Sequence, residues 1–256
     1  MDSLSLKLVL TPTLIGGASL AGRRWGPAVS GWVVGVPFTS GPIALFLALN
    51  QGVAFARAAV VGTLAGTISQ VGFCLTYGWL AGRFGWPLTV AISILVFGGL
   101  TAVLQYLPLC SGPVFVAAIL AVLLALWLLP ARAHDGPRAL APLPRWDLPA
   151  RMGVATGFVL LLTAWAPALG PRLTGLLAPF PLYAAVLAVF AHAIQGPAPA
   201  ALVLKGSLLG LFTFAGFFFT LATLLERAGI AVAFGSAILA ACVLQGSSLW
   251  WLRRTS

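Results

Sequence analysis

Acidic side chains are almost missing from this chain. Asp2, Asp135, Asp147 and Glu226 are its only four carboxylates in 256 residues. An acidic metal cluster therefore lacks raw material, and so does the buried acid that proton- or sodium-coupled antiporters commonly use. Histidine is as scarce: His134 and His192 leave no pair suited to a haem and little for catalysis. The cysteines Cys74, Cys110 and Cys242 stand far apart, with no CxxC spacing and an odd count, and read as small packing residues. No GxSxG elbow and no P-loop occurs. Neither catalysis nor a metal nor a cofactor is expected.

Charge of both signs is short as well. Charged residues make up 7% of the chain, against roughly 25% in soluble domains, too few to cover a water-facing surface. What is present instead is apolar: 61% hydrophobic residues and a mean hydropathy of +1.06. The apolar runs are long and continuous, unlike the alternating segments of about ten residues in an outer-membrane barrel. The composition predicts an all-α polytopic membrane protein. A formal charge of +10 would point to nucleic acid in a soluble protein. Here the 14 basic residues cluster between apolar runs, so they set orientation first, and anionic lipid head groups are the expected acidic partners rather than nucleic acid.

Sliding the chain by 144 residues aligns Gly26–Gly85 with Gly170–Gly229 without a gap, at 19 identities in 60 positions. The matches include Gly26/Gly170, Pro27/Pro171, Gly31/Gly175, Pro37/Pro181, Phe46/Phe190, Gln51/Gln195, Gly52/Gly196, Thr76/Thr220, Arg83/Arg227 and Gly85/Gly229. Shared apolar composition yields coincidences of Leu and Ala, not of Gly and Pro together with Gln and Arg. The segment before Gly26 then corresponds to the helix before Gly170. This makes it part of the fold rather than a signal peptide.

Spans of about 20 residues fall near 4–21, 31–50, 55–80, 87–107, 113–129, 152–169, 173–194, 200–225 and 230–252. The fifth has no counterpart, and a polar linker at 131–151 follows it. The expected organisation is a first membrane repeat (1–108), a connecting helix with a cytoplasmic linker (109–150) and a second repeat (151–256). An odd number of spans between equivalent positions makes the repeats inverted. Charge sidedness agrees: Lys7, Arg57, Arg172 and Arg227 lie on one side, and ten basic residues on the other, Arg23, Arg24, Arg83, Arg132, Arg138, Arg145, Arg151, Lys205, Arg253 and Arg254. The linker and C-terminus are expected in the cytoplasm and the N-terminus outside. Trp25, Trp79, Trp86, Trp127, Trp146, Trp250 and Trp251 gather near that cytoplasmic interface.

Each repeat resembles the small bacterial inner-membrane proteins of the GlpM type. These open with a helix followed by an xxGLxPxFPxxxLxxxxxxG-like segment. The nearest match is TGLLAPFPLYAAVLAVFAHAIQG, from Thr174 to Gly196. The first copy, SGWVVGVPFTSGPIALFLALNQG, keeps Gly31, Pro37, Phe46 and Gly52 and replaces the second Pro-Phe context. The resemblance implies a multi-pass membrane protein and little chemistry, and this chain departs from the family by fusing two copies through an extra helix.

Candidate residues follow from what the bilayer penalises. Gly62-xxx-Gly66 and Gly206-xxx-Gly210 align in the two copies and let helix backbones approach closely. They pack within the monomer on one reading and in a homodimer on the other. Pro37, Gly41 and Pro42, with Pro179 and Pro181 in the mate, are positioned to break the second and seventh spans. Paired interrupted spans in inverted repeats point to a transporter site; the alternative is a plain kink satisfied by neighbours. If the helices break, Thr39, Ser40 and Tyr183 are the nearby polar side chains, and half-helix N-termini favour an anionic group. Lys205 is either a snorkelling lysine or an anion counter-charge, and His192, one turn from Gln195, either a hydrogen-bonded interfacial histidine or a proton carrier. Arg57 is expected to snorkel, and Gln70 and Gln105 to bond between helices. The sequence thus points first to a permease for a small or lipid-like solute with its site between the second and seventh spans. A non-transporting accessory membrane protein comes second, and a lipid-acting enzyme a distant third.

Overall fold

The computed structural model describes residues 3–35, 37, 40–130, 144, 146–165, 176–177 and 179–255. Among the described residues the regular structure is helical throughout, with no strand. In chain order run α1 (Ser3–Trp25), α2 (Pro27–Val34), α3 (Ser40–Asn50), α4 (Val53–Leu80) and α5 (Trp86–Tyr106). Then come α6 (Ser111–Leu128), α7 (Asp147–Trp165), α8 (Leu182–Gln195) and α9 (Pro197–Thr255). Among the described residues, four stretches are by length and composition able to cross a bilayer: Val53–Leu80, Trp86–Tyr106, Ser111–Leu128 and Pro197–Ser247.

Glycine sets the corners. Gly52 (φ 89°) precedes α4 and Gly196 (φ 95°) precedes α9, a backbone region that an L side chain rarely enters. The two lie at equivalent positions of the repeat and launch equivalent helices. α9 is 59 residues long but is divided by Gly229, with φ 79° and ψ 171°. Its two arms, 197–228 and 230–255, fold back on each other. The Thr213 hydroxyl donates to Gln245 Oε1 at 2.6 Å, and the bare face of Gly216 seats the Leu244 side chain. The first copy makes the same hairpin from α4 and α5, with Thr101 Oγ1 donating to Ser69 Oγ at 3.0 Å and Leu100 seated on Gly72.

α4 and the first arm of α9 form the centre and pack on each other, with α2 crossing α9 and α6 resting on both. α6 buries Val114, Ala118, Val122 and Ala125, one stripe at helical spacing, and leaves Leu120, Leu123 and Leu124 exposed. An outer face this apolar suits lipid rather than water.

α7 starts at Asp147, inside the stretch read from sequence as linker. A carboxylate in the first turn suits the helix N-terminal dipole, and Arg151, one turn on, bonds it at 2.8 Å. The helix therefore extends back past Met152. Most of the remaining linker, at 131–143 and 145, and the ends of the sixth and seventh spans at 166–175 lie outside the described residues.

Candidate functional site

The stretch read from sequence as the second span is interrupted where its prolines and glycines fall. α2 ends in a tightened turn, Gly35 N–H to Trp32 O at 3.2 Å, and α3 begins with Gly41 N–H to Pro37 O at 2.9 Å. Proline supplies no N–H and fixes its own φ, so an unbroken ladder through Pro37 is unavailable. Pro37 and Ser40 are buried, while Thr39 lies outside the described residues. The equivalent region of the second copy turns through Phe180 N–H to Leu177 O (2.9 Å) and Leu182 N–H to Phe180 O (2.7 Å). α8 then starts with Ala185 N–H bonding Pro181 O at 2.7 Å. Pro179 and Pro181 are buried there and Tyr183 is half-buried.

Each interruption rests on the long helix of the other copy. A β-carbon on Gly206 would strike the Ala28 carbonyl and the Trp32 amide, and one on Gly31 the Val203 carbonyl. On Gly210 it would lie 2.6 Å from the Gly35 α-carbon. In the mirror arrangement, a β-carbon on Gly66 would meet Pro179 and, at 2.6 Å, the Leu176 carbonyl oxygen. Positions 35 and 179, 32 and 176, and 210 and 66 are repeat mates, so one contact is built twice. Backbones this close leave room for no side chain. Gly62 is buried in α4, and the segment that would correspond to Ala28 lies outside the described residues.

One end of the molecule gathers the charged and aromatic residues. Asp147, almost wholly buried, accepts from Arg23 at the end of α1 (3.2 Å) and from Arg151 (2.8 Å). The Arg151 guanidinium also lies 5.1 Å over the Phe190 ring of α8, which Trp146 borders at 6.5 Å. One carboxylate between two guanidiniums leaves a positive surplus. Nearby in α8, His192 Nδ1 and the hydroxyl of fully buried Tyr77 share a hydrogen bond of 3.3 Å, with the two rings edge to face. Trp79 donates to the Leu128 carbonyl at 3.0 Å, tying the ends of α4 and α6. Trp25, Trp79, Trp86, Trp127 and Trp146 are all exposed around this end.

This ionic clasp was missed in the sequence, where its arginines served as orientation markers and Asp147 as a linker acid. The Asp147–Arg151 spacing ahead of an apolar run is a helix-start signal that points to it. Arg57, expected to snorkel, bonds the Ala222 carbonyl and pairs with Glu226 at 3.4 Å, at the far end of the first α9 arm. Gln105 Oε1 is buried without a hydrogen-bond partner, where an interhelical bond was expected.

The candidate residues thus divide. Pro37 and Ser40 belong to one interruption, Pro179 and Pro181 to the other, and His192 to Tyr77. Lys205 is exposed about two turns into α9 and has no acid partner among the described residues. Among the described residues no three His, Cys, Asp or Glu side chains converge. The chemistry such an arrangement offers is recognition by freed backbone groups and hydroxyls. No family model, curated protein or solved structure matches the chain.

Proposed function

We propose that this protein is a permease-like secondary transporter built from two inverted repeats. In this reading nine spans cross the bacterial inner membrane, with the N-terminus outside and the C-terminus in the cytoplasm. The carrying observation is the pair of interruptions at equivalent positions, each seated on glycines of the opposite copy's long helix. Mates that run antiparallel support the inversion. Arg23, late in α1, meets Asp147, first in α7, and Arg57, early in α4, meets Glu226, late in the first α9 arm. The surplus of basic residues at the clasp end, with its exposed tryptophans, suits a cytoplasmic face against anionic head groups.

The substrate in this reading is small or lipid-like. Helix starts at Ser40 and Leu182 favour an anionic group, with Lys205 as its counter-charge. No catalytic role and no cofactor enter this reading, and the likeness to GlpM-type proteins belongs to the same proposal. A second reading, an accessory membrane protein that transports nothing, is favoured by the positions of Asp147 and Glu226. Both are paired at helix ends, away from mid-membrane.

A flux screen in reconstituted vesicles separates the two. Transport of at least one solute class is expected, impaired by Pro37→Ala with Pro181→Ala and, for an anion, by Lys205→Gln. Absence of flux across neutral, anionic and lipid-like solutes rejects the permease. Reporter fusions within 131–143 are expected to read cytoplasmic, and a periplasmic signal rejects the nine-span orientation.

A further inference from the structure

The two copies share a packing frame but fill it differently. On α4, Thr63, Thr67, Gln70, Cys74 and Tyr77 recur at steps of four, three, four and three residues, one continuous helix face. All five are buried. The equivalent face of α9 reads Ser207, Leu211, Phe214, Phe218 and Leu221, equally buried. The two helices pack on each other, with the Cys74 thiol beside the Ser207 hydroxyl. A hydrogen-bonding face therefore runs along α4 where its mate is apolar at all but one position.

The polar groups where the two faces meet are unevenly satisfied. Thr63 and Thr67 return their hydroxyls to the carbonyls of Ala59 and Thr63 on their own helix. The Ser207 oxygen is fully buried and meets no partner at hydrogen-bond geometry, since a thiol is only a weak donor. A helix pair retained for packing alone would gain from the apolar filling on both sides, because a buried polar group without a partner opposes folding. At the end nearest the ionic clasp the face meets the Tyr77–His192 pair. At its other end Thr63 and Thr67 flank Gly66, on which Pro179 of the second interruption is seated. Aromatic rings fill the mate face itself, Phe214 on Phe218 and Phe217 on both Phe218 and Phe234, whereas beside the α4 face they pack at its ends, Phe73 on Tyr77 and on Phe180.

We infer that the α4 face is a one-sided access route, entered at Tyr77 and His192 and leading to the interruption at Pro179 and Pro181. The inference rests on the permease reading but departs from the anionic substrate given there, committing to a neutral one. From Tyr77 to Thr63 the face offers hydroxyls, an amide and a thiol but no formal charge, so the solute it fits is small, neutral and rich in hydroxyl or amide groups. An anion entering the route would leave the basic end behind and meet no cation along it.

Cys74 reports on this directly. In a Cys110→Ser/Cys242→Ser protein it is the sole thiol, and iodoacetamide, a small neutral amide, alkylates only the thiolate that forms where water reaches. In membranes, alkylation of Cys74 and of Gln70→Cys is expected to be roughly ten-fold faster than at the mates Phe218→Cys and Phe214→Cys in a Cys74→Ser background. Equal rates on both faces overturn the route. So does silence of Cys74 and Gln70→Cys over a period in which denatured protein reacts fully. The permease reading is tested separately by flux: solute movement with an inert Cys74 removes the route alone, whereas a reactive Cys74 without flux leaves the route and removes the transporter.

Discussion

Gly72 seats Leu100 and Gly216 seats Leu244; Ser69 bonds Thr101 and Thr213 bonds Gln245. Between the two copies these contacts are interchangeable, because the bare face of a glycine and a short hydroxyl impose the same spacing wherever they occur. The copies part company elsewhere. Tyr77 and His192 meet in a hydrogen bond, while their counterparts, Leu221 and Ala48, are apolar and buried. Arg57 answers to Ala201, and Lys205 to Val61. Duplication therefore holds the backbone approach fixed and leaves the filling free to diverge. The shared positions speak of architecture and the divergent ones of use.

Substitutions test this division. The largest effect is expected at the shared glycines that touch backbone: Gly206→Leu drives a side chain into the Ala28 carbonyl and should cost at least about 3 kcal/mol, because backbone cannot step aside as a side chain does. Loss of folded protein on size exclusion would register it. Gly17→Ala, where nothing lies within 4 Å, should leave it intact. Next is Asp147→Asn, which strands Arg151 in a buried position opposite Arg23. A loss of about 3 kcal/mol is expected, read as a lowered unfolding temperature in detergent, and an unchanged temperature would show that the clasp is solvated. Third, Gly72→Ala and Gly216→Ala each push on one leucine methyl and should cost about 1 kcal/mol apiece. Unequal losses in the same detergent would break the equivalence of the two hairpins. Smallest is Arg57→Gln, whose pair with Glu226 is nearly half exposed on both sides. Its unfolding temperature should stay within the shift set by about 0.5 kcal/mol.

The helical character, the duplication and both interruptions were legible in the sequence because glycine and proline act on the chain locally. Pro37 cannot donate, and Gly52 and Gly196 supply a φ that other residues resist, so their positions mark corners before any packing is known. Partnerships across the fold were not legible. Arg23 and Asp147 lie 124 residues apart, and a charge near a helix end looks the same whether it faces water, lipid head groups or a buried acid. Tyr77 meeting His192, 115 positions away, is likewise a product of how α4 lies against α8. The start of α7 was misjudged for a related reason: Pro- and Arg-rich composition resembles a linker until Arg151 reaches back to the carboxylate.

Gly229 carries a consequence for the reach of the last helix. Without its single left-handed turn, α9 would continue as one rod of 59 residues, about 90 Å at 1.5 Å per residue and some three times the hydrocarbon thickness of a bilayer. The first copy spreads the same reversal over the short turn before α5, with Gly85 at an ordinary φ of −64°. In the second copy one residue, free of a β-carbon, holds the φ that lets the two arms of α9 lie side by side, so any side chain placed there would strain the reversal on which their pairing depends.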